Sequence, residues 1–392
     1  MQYLPYFQQI NPMGKKKILI LSFSPLHSDP RVYRQIMFLK DTYELIAAGF
    51  SAPAIDGIQF ALIEHKLPNL VWKMAAVLNL KTGRYEDYYW SIYSVRSAWS
   101  KLESVECDLI IANDLLSLPL ALALAKKCKA ILFLDAHEFT PREYDNDPIW
   151  RFVFQKFWEY ICSKYLPHVS AMTTVSQGIA DEYSRLYGVE CEVITNTPFF
   201  NDLEPSQVNE ESIRMIHHGG TNPARKLENM IFLIDQLDER FSIDFMLVNN
   251  RPRYAMKLEG IAKNKPRINF VKPVSFIEIV STLNKYDIGL FLLDPSAFNY
   301  RMALPNKLFE FIQARLAVAI WPSPEMARIT EAYDLGVVSD LFSIEAAAGK
   351  LNALTTEDIV RFKQNSHQAA GMFCAEKNQD KLIGIVAKLI GS

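Results

Sequence analysis

The densest chemistry in the sequence lies between Leu304 and Ala314, where Pro305, Asn306, Lys307 and Glu310 fall within two turns of a segment whose apolar residues recur at helical spacing. Proline suits the first turn of a helix, where its missing N–H would have no partner anyway, so a helix is predicted to open at Pro305. Free N–H groups and the helix dipole at such an end attract an anion, a diphosphate among them, and Lys307 adds a full positive charge in the first turn. Glu310 sits one turn further on the same face, where a carboxylate can accept hydrogen bonds from ribose hydroxyls. The same spacing equally describes an ordinary helix start with an i, i+3 ion pair worth about 0.2–0.5 kcal/mol.

Other reactive side chains are scattered. His137 ends an apolar run beside Glu138, the pattern of a strand-end histidine satisfied by a neighbouring carboxylate. His217 and His218 close another run with no third ligand at metal spacing, so they read as a strand edge facing a crevice. Asp145-Asn146-Asp147 has the D-x-D form that can hold a divalent ion against a diphosphate, yet it stands in a polar, proline-bounded stretch and reads as a solvated turn. No metal is expected. The five cysteines, Cys107, Cys128, Cys162, Cys191 and Cys374, are far apart and never in C-x-x-C or Cys/His spacing, the pattern of reduced, buried thiols. Ser176 has no triad partners that spacing can support.

The elements that must position these residues alternate between short Ile/Leu/Val runs and longer amphipathic stretches, the signature of βαβ units and a parallel sheet. Strands are predicted at 17–22, 108–111, 130–134, 171–174 and 192–194, with helices at 31–39, 118–127 and 177–187. A polar stretch without periodicity, 201–211, reads as a linker after Asn196-Thr197-Pro198. The pattern restarts with strands at 215–217, 245–248, 268–270, 288–291 and 317–320 and helices at 227–237, 254–264, 275–284 and 305–314. The expected fold class is therefore α/β, with two Rossmann-like doubly wound domains, 1–200 and 201–365, facing a central cleft where open α/β sheets bind ligands. Residues 366–392 form a helical segment whose apolar face must pack on something, expected to be the amino-terminal domain. A chain of 392 residues is long enough for two cores.

Composition excludes several classes. A net charge of −2 argues against a protein that coats nucleic acid. No run approaches the ~18 apolar residues of a membrane span. The first 17 residues place their lysines after their aromatic residues, the reverse of a secretory leader, so a cytoplasmic location is expected. Two aromatic, basic stretches, 85–99 and 150–165, read as core helices, with insertion into a membrane surface as the alternative.

Together these segments resemble glycosyltransferase family 4, retaining enzymes of the GT-B fold, over roughly residues 17–340. The likeness runs from Asp287-Ile288-Gly289 through Leu304-Pro305-Asn306-Lys307 to Glu310. It also takes in Asn113-Asp114-Leu115, Asp135-Ala136-His137-Glu138, Thr174-Val175-Ser176 before Gly178-Ile179-Ala180, Asn196-Thr197-Pro198, and Gly219-Gly220 with Arg225-Lys226. The resemblance implies catalytic roles for His137, which reaches the donor sugar, and for Arg225 and Lys307, which hold the donor diphosphate. It implies donor contacts by Gly219, Gly220, Pro305, Asn306 and Glu310, the last matching the second glutamate of the family's paired-glutamate motif. The first glutamate is replaced by Met302, so Asn299 and Tyr300 are expected to help hold the donor sugar. The loop 24–31 resembles a variant acceptor loop, with His27, Asp29 and Arg31 as acceptor contacts. The implied reaction moves a sugar from a UDP- or GDP-linked donor, with no cofactor, to a glycan or lipid-linked acceptor in cell-surface polysaccharide synthesis, at or near the inner membrane face. The alternatives are a GT-B sugar-nucleotide epimerase and a non-catalytic nucleotide-sugar-binding protein.

Overall fold

The structure, a computed structural model, describes residues 15–391. Residues 1–14, which carry most of the leader reading, and Ser392 lie outside the described residues.

Seven parallel strands form the first sheet: β1 (Lys17–Leu21), β2 (Glu44–Gly49), β3 (Gln59–Leu62), β4 (Leu109–Asn113), β5 (Ile131–Asp135), β6 (Ala171–Thr174) and β7 (Glu192–Val193), in the order β3-β2-β1-β4-β5-β6-β7. Six more form the second: β8 (Ile213–Gly220), β9 (Phe241–Val248), β10 (Ile268–Val271), β11 (Ile288–Phe291), β12 (Ala317–Ile320) and β13 (Gly336–Val338), in the order β10-β9-β8-β11-β12-β13. In both sheets the chain winds outward from the first strand, then returns to its other side, which leaves a crevice between β1 and β4 and another between β8 and β11. Strands such as β4 and β12 are buried along their whole length, as central parallel strands covered on both faces must be.

Of the strands that sequence reading missed, β2 (ELIAAG) owes its place to the core against β1 rather than to propensity, because alanine and glycine are poor strand formers. The stretch 201–211 forms no helix or strand before β8, in keeping with its lack of periodicity.

Five helices shape the cleft, the seams between the lobes and the outer face of the first lobe. They are α1 (Pro30–Leu39), α2 (Leu70–Lys81), α3 (Phe298–Arg301), α4 (Asn306–Gln313) and α5 (Ala375–Ile390). Helix α1 is capped by Asp29, whose carboxylate accepts from Arg31 N and Val32 N, and it buries Val32, Ile36 and Leu39 against β1 and β4. Helix α5 brings Leu382, Ile385 and Val386 into that same cluster, so the end of the chain closes on the first lobe. Its start is pinned at the domain junction: Ala375 N donates to Pro198 O (2.8 Å), and Asn378 Nδ2 donates to Thr195 O (2.7 Å) and Thr197 Oγ1 (2.6 Å).

The lobes also meet across the cleft. Phe298, from the second lobe, is buried in the first lobe's core with the Arg142 guanidinium 4.6 Å from its ring centre. The Phe298 N–H donates to Asp145 Oδ1 (3.1 Å), and Glu325 Oε1 accepts from Gly178 N (2.6 Å). Of the two aromatic stretches, Tyr89, Phe157, Ile161 and Tyr165 are core, as expected, while Phe152 is exposed. Among the described residues no helix is long and apolar enough to cross a membrane.

Truncating the seam tests its weight. Leu382→Ala is expected to lower stability by about 2–5 kcal/mol, read as a lower urea midpoint at an unchanged slope; an unaltered midpoint would show that α5 only lies against the first lobe.

Candidate functional site

The carboxyl ends of the two sheets face one another across a cavity of about 500 Å³, within the range of small-ligand sites. From the second lobe it is lined by Gly219, Arg225, Asn299, Tyr300, Pro305, Asn306, Lys307 and Glu310; the first lobe contributes His137 and Glu138.

Pro305 is the N-cap of α4 rather than its first-turn residue: its φ of −72° and ψ of 152° are extended, and no side chain caps the helix. The first N–H groups of α4 are therefore left uncapped by any side chain at the cavity wall. Lys307 leaves this first turn, is buried, and runs its ammonium past Gly219 to lie 5.0 Å from the Phe291 ring centre. Gly219 has a φ of +124°, a conformation that favours glycine, and a Cβ there would stand 2.7 Å from Lys307 Nζ, so a side chain would displace the ammonium from its present position. Gly220 faces away: a Cβ there would meet Asn250 Nδ2 at 3.0 Å.

Burial, then the charge of Arg225, pull the Lys307 ammonium down to about 7, with Glu310 opposing. Burial pushes the Glu310 carboxyl up, and Lys307 and Arg34 work against it. Neither Lys307 nor Arg225 joins an ion pair with a carboxylate among the described residues, and Arg225 Nε is buried without a hydrogen-bond partner. Glu310 Oε2 lies 3.2 Å from His218 Nε2 but off the hydrogen-bonding line. Burial, followed by Lys307, holds His218 well below the usual histidine range, and burial takes His217 down to about 3, so both rings are neutral. Only His218 faces the cavity. His217 stacks on Phe291, and its Nδ1 is 3.0 Å from Leu290 O. Their strand, β8, is central in the sheet, so the expected strand edge is in fact a strand end.

On the first lobe the neighbours of His137 are Asp114, with Oδ2 3.3 Å from Nδ1, and Asp135, with Oδ2 3.7 Å from Nε2. Glu138, expected as its partner, instead accepts from Asn299 Nδ2 (3.3 Å). Asn299 is in turn fixed by the backbone of the first lobe, accepting from Phe139 N at 3.0 Å. Glu138 lies deep in the cleft yet open to its water. Surrounding protein, then Glu143 and Asp114, raise its carboxyl to about 8, and cleft water opposes the rise. Sequence reading named Glu138 only as a neighbour. Arg34, one turn after Arg31 and close enough to act on Glu310, was missed; its position on α1 was the available signal.

Met302 does not reach the cavity. Its side chain packs on the first lobe, where a Cβ added to Gly178 would fall 2.7 Å from its sulfur, and its carbonyl accepts from Ser176 Oγ (2.8 Å). The D-x-D carboxylates are similarly engaged: Asp145 accepts from Arg142 and Phe298 N, and Asp147 from the N–H groups of Ile149 and Trp150.

The acceptor-loop residues have structural partners of their own. Asp29 is the cap of α1, and Arg31 is buried, donating to Asp135 through Nε (2.7 Å) and Nη2 (2.5 Å) and to Ile194 O through Nη1 (2.7 Å). A carboxylate buried at the end of a central strand demands such a counter-charge. Burial opposes ionisation of Asp135, but Arg31 and His137 hold it below the usual carboxylate range. His27 is exposed beside Ser51 (2.7 Å) and does not line the cavity.

No protein-family model matches the sequence, and no curated protein matches it. Solved structures do. Anabaena Alr3699/HepE in complex with UDP-glucose superposes with a TM-score of 0.71 at 12% identity, covering 95% of this chain and 100% of that one. Sucrose-phosphate synthase from Thermosynechococcus elongatus gives 0.70 at 9% identity (96% and 100%). A glycosyltransferase from Rickettsia africae ESF-5 gives 0.66 at 12% (96% and 99%). At these identities the likeness is one of fold: the chain has the two-lobed GT-B architecture.

Arg31→Ala leaves Asp135 buried without its partner, and the expected loss is about 3–5 kcal/mol, measured by urea denaturation. An acceptor-contact role would instead leave stability untouched.

Proposed function

We propose that this protein transfers a sugar from a UDP- or GDP-linked donor to a glycan or lipid-linked acceptor, with retention of configuration and with no metal ion or other cofactor. The observation that carries this reading is the pair of Lys307, buried, and Arg225, half-buried with its Nε sequestered and unpartnered, at the open end of α4 with no carboxylate ion-paired to either. Such a place is electrostatically incomplete until an anion fills it. The fold adds support, since the Anabaena protein that shares it was crystallised with UDP-glucose.

The donor's diphosphate then lies on the first N–H groups of α4 between Lys307 and Arg225, with the ribose hydroxyls on Glu310. Gly219 leaves room for the Lys307 ammonium beside the phosphates. As the glycosidic bond breaks, charge grows on the leaving phosphate, and fixed cations aimed there lower the barrier without rearranging. They supply the charge that a metal supplies in other designs. The sugar faces His137 and Glu138. With Met302 turned into the lobe contact, the grip on the sugar's hydroxyls falls to Glu138, oriented by Asn299, with Tyr300 on the cavity wall. We place the activity in cell-surface polysaccharide synthesis, in the cytoplasm at the inner membrane face.

Two measurements test this. Saturating UDP or GDP at ~100 times its dissociation constant is expected to stabilise the protein by ~2.7 kcal/mol. Lys307→Ala and Arg225→Ala are each expected to abolish that shift, and sugar transfer with it, while far-UV circular dichroism stays unchanged; full activity in both variants would remove the mechanism. The second measurement is pH dependence. Burial and Arg225 make the free Lys307 ammonium easier to deprotonate, whereas a bound diphosphate favours the charged form, so binding takes up a proton where the free ammonium has lost it. Nucleotide affinity is expected to fall as pH rises from 7 to 9, with proton uptake seen by calorimetry in two buffers of different ionisation enthalpy. Lys307→Ala should flatten whatever dependence it leaves measurable.

A further inference from the structure

The donor site leaves the most apolar surface of the first lobe unused. Helix α2 (LVWKMAAVLNLK) carries only Lys73, Asn79 and Lys81 as polar residues. Its inner side is covered, with Ala76 and Leu80 buried and the Trp72 indole donating to Ser91 O (3.1 Å). On its outer side Leu70, Val71, Met74 and Leu78 are 72, 76, 67 and 61% exposed. A helix apolar on all sides calls for an apolar cover, and bare patches of this kind mark interaction sites. Phe152 extends the patch: it is 70% exposed, and its carbonyl accepts from Lys81 Nζ (2.8 Å).

Directly behind α2 lies a cavity of about 590 Å³ walled by Trp72, Tyr88, Tyr93, Trp150, Phe154 and Trp158. A predominantly aromatic wall with polar groups such as Asn69 and Ser94 set among the rings, at this volume, is the composition of a ligand site. Lys66 and Arg96 add positive charge to the lining. Its other border, Glu143 and Tyr144, adjoins the donor cleft: the charge of Glu143 raises the Glu138 carboxyl, and Tyr144 is close to Tyr300. One helix therefore presents an apolar face with Lys73 and Lys81 to the outside and walls a cavity leading towards the reaction centre on its inside. Apolar side chains fringed by lysines match an anionic lipid surface, where each lysine near the surface contributes ~1 kcal/mol.

We propose that α2 rests on an anionic lipid surface and that the aromatic cavity behind it takes the hydrocarbon chain of a lipid phosphate, directing the head of that molecule towards the donor cleft. Calling that lipid the acceptor rests on the glycosyl-transfer reading; the surface and the cavity do not. The phosphate lies within reach of Lys66 and Arg96, and the chain runs along the rings of Trp72 and Trp158.

The test uses the full chain. Vesicles of phosphatidylglycerol and phosphatidylcholine are expected to co-sediment with it, and phosphatidylcholine alone is not. The double variant Val71→Asp/Met74→Asp, both sites exposed, is expected to lose at least tenfold in vesicle affinity. Farnesyl phosphate should quench tryptophan fluorescence saturably and inorganic phosphate should not; Leu116→Trp, which fills the cavity, should weaken farnesyl phosphate at least tenfold. Equal sedimentation of wild type and double variant would overturn the proposal. So would a solution dimer that the double variant dissociates, because a second copy would then be the cover, and so would wild-type protein blind to farnesyl phosphate. Nucleotide stabilisation is measured in parallel: its survival without lipid binding overturns this inference alone, and lipid binding without it supports the lipid surface while removing the donor reading.

Discussion

Lys307, buried, and Arg225, half-buried at the same cleft wall, repel one another, and folding does nothing to relieve them of that repulsion. The cost is visible in the lowered affinity of the Lys307 ammonium for its proton, which burial and the neighbouring guanidinium both produce. The nearest carboxylate, Glu310, is itself pushed towards its neutral form by burial, so it offers only partial compensation. The two histidines at the end of β8 are neutral and add no counter-charge. A core selected only for stability would replace such a lysine with an apolar residue of similar volume. Keeping it is reasonable where the missing negative charge arrives with a ligand, and beside it stand a glycine with positive φ, which leaves the ammonium its present position, and a helix end without a side-chain cap.

Aiming those charges requires the lobes to hold a fixed separation, and the contacts between them are short and polar. Asn299 fastens α3 to the backbone at Phe139, Asp145 receives the N–H of Phe298, and Glu325 receives that of Gly178. Helix α5 closes the opposite side with a hydrophobic seam on α1. The buried Arg31–Asp135 pair ties α1, the end of β5 and the chain after β7 to one another, because Arg31 reaches Ile194 O and Asn196 Oδ1 with its remaining N–H groups. The position of His137 depends on the same pair, since Asp135 lies under its Nε2 and Asp114, in a left-handed conformation, holds its backbone N–H at 3.0 Å.

Most of this architecture could be read from the chain because parallel strands buried on both faces leave unbroken apolar runs. The runs at 288–291 and 317–320 coincide with β11 and β12 to the residue. Strands β3 and β13 and the helix at Pro324–Ala332 escaped because they are short or partly exposed, so their patterns carry little hydrophobic contrast. In the site, Lys307, Glu310, Gly219 and His137 were legible because local spacing or motif order marks them. Arg31 was misread for a physical reason: a charged residue in a loop-helix start suggests a ligand contact, and only the fold reveals the carboxylate more than a hundred residues away that neutralises it. Glu138 was undervalued in the same way, since what distinguishes it is the Asn299 amide that reaches it from the opposite lobe.

Met302 shows how a departure from a familiar pattern can be absorbed by the fold. A carboxylate at this position would face a tightly packed lobe contact, where the sulfur already fills the space left by Gly178 and the carbonyl is held by Ser176. Methionine suits that place because its flexible, polarisable chain fills irregular apolar gaps. Glu138 is oriented by an amide from the opposite lobe and stands open to the cleft, where its carboxyl oxygens can accept hydrogen bonds. A carboxyl contributed by the first lobe but oriented by an amide of the second keeps its geometry only while the lobes are docked. The site's chemistry is thereby coupled to the same Asn299 contact that holds the two halves together.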